Sequence, residues 1–495
     1  MDILLVTLNA RFSHASLGLR YLLANLGELQ SRAEIVEFVI GSTNGDGSGR
    51  SVEAMLEKIL AKMPRIIGLG VYIWNIDEST RLVSLLKRVA PDVTIVLGGP
   101  EVSFPNDYPD IVQDADYVIT GQADHSFREL CEKLLNGSIA GLPLNKTLVS
   151  TTPAMDSLVL PYALYTDSDL ANRNIYFEAS RGCPFKCEFC LSALDKTAWP
   201  FELDLVLSEL QLLYARGLRR FKFVDRTFNL KIKTSQAILE FFLAKLSAKP
   251  CEELFVHFEL VPDHLPDTLK ETIARFPAGV LQFEIGIQTW NIEVQTLINR
   301  KQDNEKAIAN ITWLVEQSKA HLHVDLIAGL PGETLASFGA GFDRLYSLRP
   351  HEIQVGILKR LRGAPIDRHT ITHKLIYNPK SPYNVLSTSV ISFQDLQRLN
   401  RFSRYWDLFA NSGRFTAPMR DLLGDQPFSN MLLFADWLYA NTDATHHLAL
   451  HRQAALLDQY QSNHLQALSA YEPNKAVTSY PSSRSFRQNR HIDSL

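Results

Sequence analysis

Ser180-Arg181-Gly182-Cys183-Pro184-Phe185-Lys186-Cys187-Glu188-Phe189-Cys190 sets three cysteines in the spacing C-x3-C-x2-C. The apolar run Ile175-Tyr176-Phe177-Glu178-Ala179 precedes it and reads as a strand that delivers the loop to one end of a sheet. Electron-transfer clusters use four cysteines each. Structural zinc wants four ligands, usually in two close pairs. No fourth cysteine lies nearby; Cys131 and Cys251 fall in helical and strand-flanking contexts and read as packed thiols. A 4Fe–4S cluster on Cys183, Cys187 and Cys190 leaves one iron free to bind another molecule. A Cys3His zinc site completed by His125 or His257 is the alternative.

Outward from this loop the chain runs to 495 residues, enough for two or three domains. Hydrophobic content of 46% and charged content of 21% are those of a globular protein. A net charge of −4 supplies no general field for nucleic acid or membrane, and neither partner is expected. Apolar runs are strand-sized, so no membrane span is expected. The first residues carry no basic region or cleavage site, and five cysteines with three in one motif make no disulfide framework. The expected location is the cytoplasm.

Residues 1–136 alternate strand candidates with helical patterns. The strands are Ile3–Leu8, Glu34–Ile40, Ile66–Tyr72, Thr94–Leu97 and Tyr117–Thr120. The helices include Leu19–Leu26, Val52–Lys62, Thr80–Val89 and Ser126–Leu135. Such a series predicts an α/β, doubly wound parallel sheet covered on both faces. Ligands bind outside the carboxyl ends of these strands, where Asn9–Ser16, Tyr72–Asn75 and Gly98-Gly99-Pro100 lie. Residues 137–172, with Pro143, Pro153 and Pro161, read as a linker. A second series starts at 173 and runs to 370, with strands at Ile175–Ala179, Phe221–Asp225, Leu254–Leu260, Leu281–Ile287, Leu322–Ala328 and Ile353–Leu358. Polar groups gather at the ends of these strands, where βα barrels place their chemistry.

The cysteine loop, Phe189 before its last cysteine, and the segments Phe283–Thr289, Val324–Thr334 and Leu358–Pro365 together resemble the radical S-adenosylmethionine (radical SAM) enzymes. The resemblance implies an open (βα)6 partial barrel and a 4Fe–4S cluster whose free iron chelates the methionyl end of SAM. It implies that Phe189 lies by the adenine, that Asp225 takes the methionyl amino group, that Glu284 and Gln288 face the barrel interior or the ribose, and that Arg300 pairs with the SAM carboxylate. The first series resembles the cobalamin-binding domain attached to many of these enzymes, through Leu17–Leu22, Ile67–Val71, Val96–Ser103 and Ala115–Gly121. That implies cobalamin against Gly98, Gly99 and Gly121, with Trp74 filling the lower face of the cobalt or simply packing. The D-x-H-x-x-G motif of methionine-synthase-like proteins is absent, so His14 reads as a loop residue. Gly121-Gln122-Ala123-Asp124 stands where the family often has G-E-x-E.

Residues 371–472 read as a helical, aromatic-rich domain, either a buried cap or a cover over the barrel mouth, and 473–495 as a disordered tail. The three-part arrangement is similar to an uncharacterised subgroup of these enzymes. The resemblance implies reductive cleavage of SAM to a 5′-deoxyadenosyl radical, hydrogen abstraction from the substrate, and methylation of an unactivated carbon by methylcobalamin, which a second SAM restores. A one-electron donor such as a flavodoxin or ferredoxin is the implied partner. The substrate is a small molecule or peptide of unknown identity. Three other activities stay open: cyclisation or rearrangement without methyl transfer, tRNA modification of the methylthiotransferase type, and a non-catalytic iron–sulfur or cobalamin sensor.

Overall fold

The computed structural model describes residues 1–41, 51–137, 146–195, 197–248 and 253–470. Cys251 and the tail 473–495 lie outside them. The chain divides into two compact units, Met1–Asp436 and Trp437–Leu495.

Six parallel strands form the first sheet in the order β2-β1-β3-β4-β5-β6: β1 Ile3–Asn9, β2 Ala33–Val39, β3 Ile66–Gly70, β4 Thr94–Gly98, β5 Tyr117–Thr120 and β6 Thr147–Val149. All seven residues of β1 are buried, as a strand covered on both faces must be. Helices α2 (Val52–Leu60), α3 (Ile76–Val89) and α4 (Ile111–Asp114) supply Met55, Ile59, Leu82, Leu86 and Ile111 to one core. Helices α1 (Leu17–Ala24) and α5 (Asp124–Leu135) supply Leu19, Phe127 and Leu130 to the other. The sheet is therefore doubly wound. Cys131 is buried in α5, and burial pushes its thiol up to about 12. The expected linker instead contributes the edge strand β6 and the short helix α6 (Asp167–Asn172). Three residues of strand carry too little period to be read in advance.

The second sheet is also six-stranded and parallel. Its strands are β7 (Ile175–Phe177), β10 (Arg220–Phe223), β11 (Phe255–Leu260), β12 (Leu281–Gln288), β13 (His321–Ala328) and β14 (Glu352–Ile357), in the order β14-β13-β12-β11-β10-β7. A small antiparallel pair, β8 (Ser180–Gly182) and β9 (Ala198–Pro200), brackets the cysteine loop. Helices α7 (Leu203–Ala215), α8 (Ile232–Ala248), α9 (Asp267–Ala274), α10 (Ile292–Leu297), α11 (Asn304–Gln317) and α12 (Leu335–Ser347) connect the strands. In β12, Leu281, Phe283, Ile285 and Ile287 are buried while Gln282, Glu284, Gly286 and Gln288 are half-buried. The apolar face meets helices and the polar face forms the barrel interior, as the two-residue period requires.

Helix α13 (Phe393–Trp406) packs on the open edge strand β14 rather than across the barrel mouth. Ser403 donates to Val355 O (2.6 Å). Asn411, in the π-helical turn after α13, accepts from Ile353 N (3.1 Å) and donates to Ile353 O (2.9 Å). Side chains thus satisfy an edge that would otherwise be free to pair. Phe402 and Trp406 bury against Phe342 of α12 at centroid distances of 5.1 and 4.9 Å. Helix α14 (Thr416–Leu423) and α15 (Pro427–Thr442) follow. In the second unit, α16 (Leu450–Ala470) sets Tyr460 against Trp437, 5.3 Å between centroids. No helix among the described residues is long and apolar enough to cross a membrane.

Candidate active site

The cysteine loop is built by its non-cysteine residues. Gly182 has φ +91°, and a Cβ there would collide with Thr197 O and crowd the Trp199 ring. Only glycine fits before Cys183. Glu188 is buried and anchored at every polar group. Its N–H donates to Ile298 O (2.9 Å), its carbonyl accepts from Ile366 N (2.9 Å), and its carboxylate accepts from His369 Nε2 (2.9 Å) and pairs with Arg368 (2.5 Å). Lys186 closes the far side by donating to Ala193 O (3.0 Å).

Cys183, Cys187 and Cys190, with Phe185 and Phe189, form one wall of a cavity of about 250 Å³. Glu259, Glu284, Gly286, Gln288, Arg300 and Asp325 form the other. Arg300 donates to Cys187 Sγ (3.5 Å), to Gly286 O and to Gln302 Oε1 (3.0 Å). Burial pushes the Cys187 thiol up and the Arg300 guanidinium opposes it. A bulge between Gly286 and Gln288 gives Gln288 a φ of +68° and swings its carboxamide over Gly286, where a Cβ would block it. Glu284 bonds His257 (3.2 Å), which holds its carboxyl below the usual range. Burial raises the Asp325 carboxyl, and His323, 3.3 Å away, opposes it.

Phe189, Glu284, Gln288 and Arg300 thus come together with the three cysteines. Asp225 does not. It is 3% exposed, accepts from Ala179 N (3.0 Å) and Ser180 Oγ (2.6 Å), and burial pushes its carboxyl up to about 7. Its neighbour Arg226 faces the cavity instead, paired with Glu259 at 2.9 Å. The chain's alternation at the strand end decides between the two. Sequence reasoning singled out neither Arg226 nor Glu259 as a site residue.

A second cavity, of about 410 Å³, lies between the sheets. Gly68, Gly70, Gly98, Gly99 and Gly121 line it from the first sheet; Glu178, Arg181, Gly182, Ser192 and Arg226 line it from the second. Ser192 and Arg226 also line the cysteine cavity. A Cβ on Gly68 would meet the Phe127 ring at 2.8 Å, and one on Gly99 (φ +108°) would collide with Val71 O. Through Leu17, Gly18, Tyr72 and Val224 this space adjoins an apolar cavity of about 510 Å³. Trp74 lines that one, stacked on Tyr72 (4.5 Å between centroids) and donating to Leu8 O (3.2 Å). His14 lines it too, hydrogen-bonded to the Tyr176 hydroxyl.

The donor sets fit the expected groups. Among the described residues, no three His, Cys, Asp or Glu side chains converge to hold a single metal ion. Neither His125, which bonds Ser157, nor His257, which bonds Glu284, lines the cavity of the three cysteines. Three thiols spread along one cavity wall suit a cluster, whose irons are ligated one by one. The glycine-lined cavities suit a large ligand in close contact with backbone.

Residues 177–344 match the Radical SAM superfamily, residues 3–131 the B12 binding domain, and residues 372–467 a protein family of unknown function (DUF4080). The chain is similar to the cobalamin-dependent radical SAM methyltransferase TokK of Streptomyces tokunonensis, 23% identical over 61% of this chain and 48% of that one. It is also similar to the uncharacterized methyltransferase PH0819 of Pyrococcus horikoshii, 28% identical over 36% of this chain and 43% of that one. The chain thus spans about half the length of the curated relatives it matches. Among solved structures, the cobalamin-dependent SAM radical enzyme OxsB shares the fold at TM-score 0.64 and 13% identity, over 95% of this chain and 76% of that one. The radical SAM methyltransferase TsrM from Kitasatospora setae does so at 0.59 and 16%, over 74% and 75%. The cysteine loop lies in the stretch that matches the Radical SAM superfamily and the glycine-bearing sheet beside it in the stretch that matches the B12 binding domain, so the chain carries both domains, whose cofactors are a 4Fe–4S cluster, SAM and cobalamin.

Proposed function

We propose that the protein is a cytoplasmic, cobalamin-dependent radical SAM methyltransferase that methylates an unactivated carbon of a small molecule or peptide. The observation that carries this reading is the shared wall: Ser192 and Arg226 line both the cysteine cavity and the glycine-lined cavity. Two cofactors held there would serve one substrate. When bound, they supply hydrogen-atom abstraction and a transferable methyl group.

The chain's own residues do the holding. Cys183, Cys187 and Cys190 would hold the cluster. Phe189, Gln288 and Glu284 would hold the nucleoside of SAM, and Arg300 would take its carboxylate. Arg226 and Glu259 neutralise each other on the same wall. Gly98, Gly99, Gly121 and Trp74, which line the two adjoining cavities, would hold cobalamin. An external one-electron donor of the flavodoxin or ferredoxin type completes the system.

The test is anaerobic reconstitution with iron, sulfide and hydroxocobalamin, followed by assay of 5′-deoxyadenosine under reductant and of labelled methyl transfer to candidate substrates. Corrinoid retention, with SAM cleavage abolished in Cys187→Ala, is expected. SAM cleavage by protein that retains no corrinoid would sink the methyltransferase reading in favour of cyclisation or rearrangement.

A further inference from the structure

Arg181 stands two residues before Cys183 and joins the cysteine loop to the B12-binding domain. Its side chain is 12% exposed. It donates through Nε to Glu178 Oε1 (2.8 Å), and through Nη1 to Asp124 Oδ2 (3.1 Å) and Gln122 Oε1 (3.3 Å). Its guanidinium lies 4.2 Å from the centroid of the Tyr21 ring. Tyr21 belongs to α1 and Asp124 to α5, the two helices on one face of the first sheet. Both residues line the cavity between the sheets, as do Gln122, Glu178 and Arg181 itself.

Arg181 has little freedom to let go of either side. Asp124 and Glu178 are 5% and 8% exposed. Withdrawing the guanidinium would leave two buried carboxylates uncompensated, which is strongly unfavourable. On the loop side, Asp225 fixes Ala179 N and Ser180 Oγ from beneath, so the backbone on which Arg181 sits is stiff. A shift of Asp124 or Tyr21 is therefore transmitted to the residues leading into Cys183.

We propose that Arg181 is a positioning residue that couples the two cofactor sites. A corrinoid in the cavity fixes Tyr21, Gln122 and Asp124, through them Arg181, and through Arg181 the approach to the first cluster ligand. By linkage the effect is reciprocal: the cluster tightens corrinoid binding by the factor by which the corrinoid tightens the cluster. The inference rests on the proposed function and deepens it.

The experiment titrates hydroxocobalamin into full-length protein with and without reconstituted cluster, and measures the rate of iron loss to a chelator with and without hydroxocobalamin. In the wild type, the cluster should tighten corrinoid binding about tenfold, a typical coupling, and corrinoid should slow iron loss. In Arg181→Met both effects should vanish while initial iron content stays. Asp124→Asn should weaken both, and serves if Arg181→Met does not accumulate. Glu101→Gln weakens a different contact between the domains, in which the Glu101 carboxylate pairs with Arg362 (3.2 Å) and accepts from the Tyr383 hydroxyl (3.0 Å), and should leave the coupling intact. Equal corrinoid affinity with and without cluster in the wild type overturns the proposal, as does coupling that survives Arg181→Met or is lost equally in Glu101→Gln. Protein that binds no corrinoid at all overturns the proposed function as well; corrinoid binding without coupling overturns this inference alone.

Discussion

Asp225 and Arg226 are adjacent and do opposite work. The Asp225 carboxyl is raised by burial to about 7, above its ordinary 3.9 in an unfolded chain. Between those two values the folded protein holds a proton that the unfolded chain releases, so this group makes stability fall as pH rises, by at most about 1.4 kcal/mol per unit. Asp225→Asn should flatten that fall. Denaturant midpoints at pH 5 and pH 8 that drop equally in both proteins would contradict the assignment. Gly99→Ala should be damaging whatever the pH, because its positive φ and the Val71 carbonyl exclude a side chain. A loss of roughly 1–3 kcal/mol is expected from the strained backbone alone, read as a lowered unfolding midpoint. The grouping of Cys183, Cys187 and Cys190 on one cavity wall was legible in the sequence because their spacing is local. The choice of Arg226 over Asp225 as the residue that faces the cavity was not, since it turns on which of two consecutive side chains points inward.

Strands and helices were largely legible for the same reason. Short apolar runs, bounded by helical stretches, gave all six strands of the partial barrel within about two residues and five of the six in the first sheet. What escaped notice depends on distant partners. β6 is three residues that make sense only beside β5. The covering of β14 rests on Asn411, which lies 58 residues from the strand it completes. Nothing in its neighbourhood marks an asparagine whose amide replaces a missing strand. Asn411→Leu leaves the N–H and C=O of Ile353 without those bonds, and should cost about 1–3 kcal/mol. Increased self-association through the uncovered edge should accompany it, seen by light scattering. An unchanged midpoint with no rise in scattering would show that the edge is protected by other means.

Three groups of buried charge join the B12-binding domain to the rest of the first unit. Arg20 and Arg173 share Glu37 and Asp169, all with side chains 6–11% exposed. Arg181 joins Asp124 to Glu178. Arg362 reaches Glu101 (3.2 Å) and Asp107 (2.8 Å), with the Tyr383 hydroxyl also donating to Glu101 (3.0 Å). A net charge of −4 foretold none of this, because composition counts charges without pairing them. Glu37→Gln leaves Arg20 and Arg173 with Asp169 as their one remaining carboxylate in the contact and should cost about 1–3 kcal/mol, measurable as a lowered unfolding midpoint. Because the pairs are screened from solvent ions, raising salt to about 0.5 M should reproduce little of that loss. A salt effect as large as the mutation would place these charges at the surface.

The cavity between the sheets is walled from both sides, and the same buried charges hold those walls together. A large ligand that fills it touches both domains at once and acts as one more tie between them. Protein loaded with such a ligand should therefore resist proteolysis at the junction of the two domains better than empty protein, because the ligand's binding energy must be given up before the walls can part.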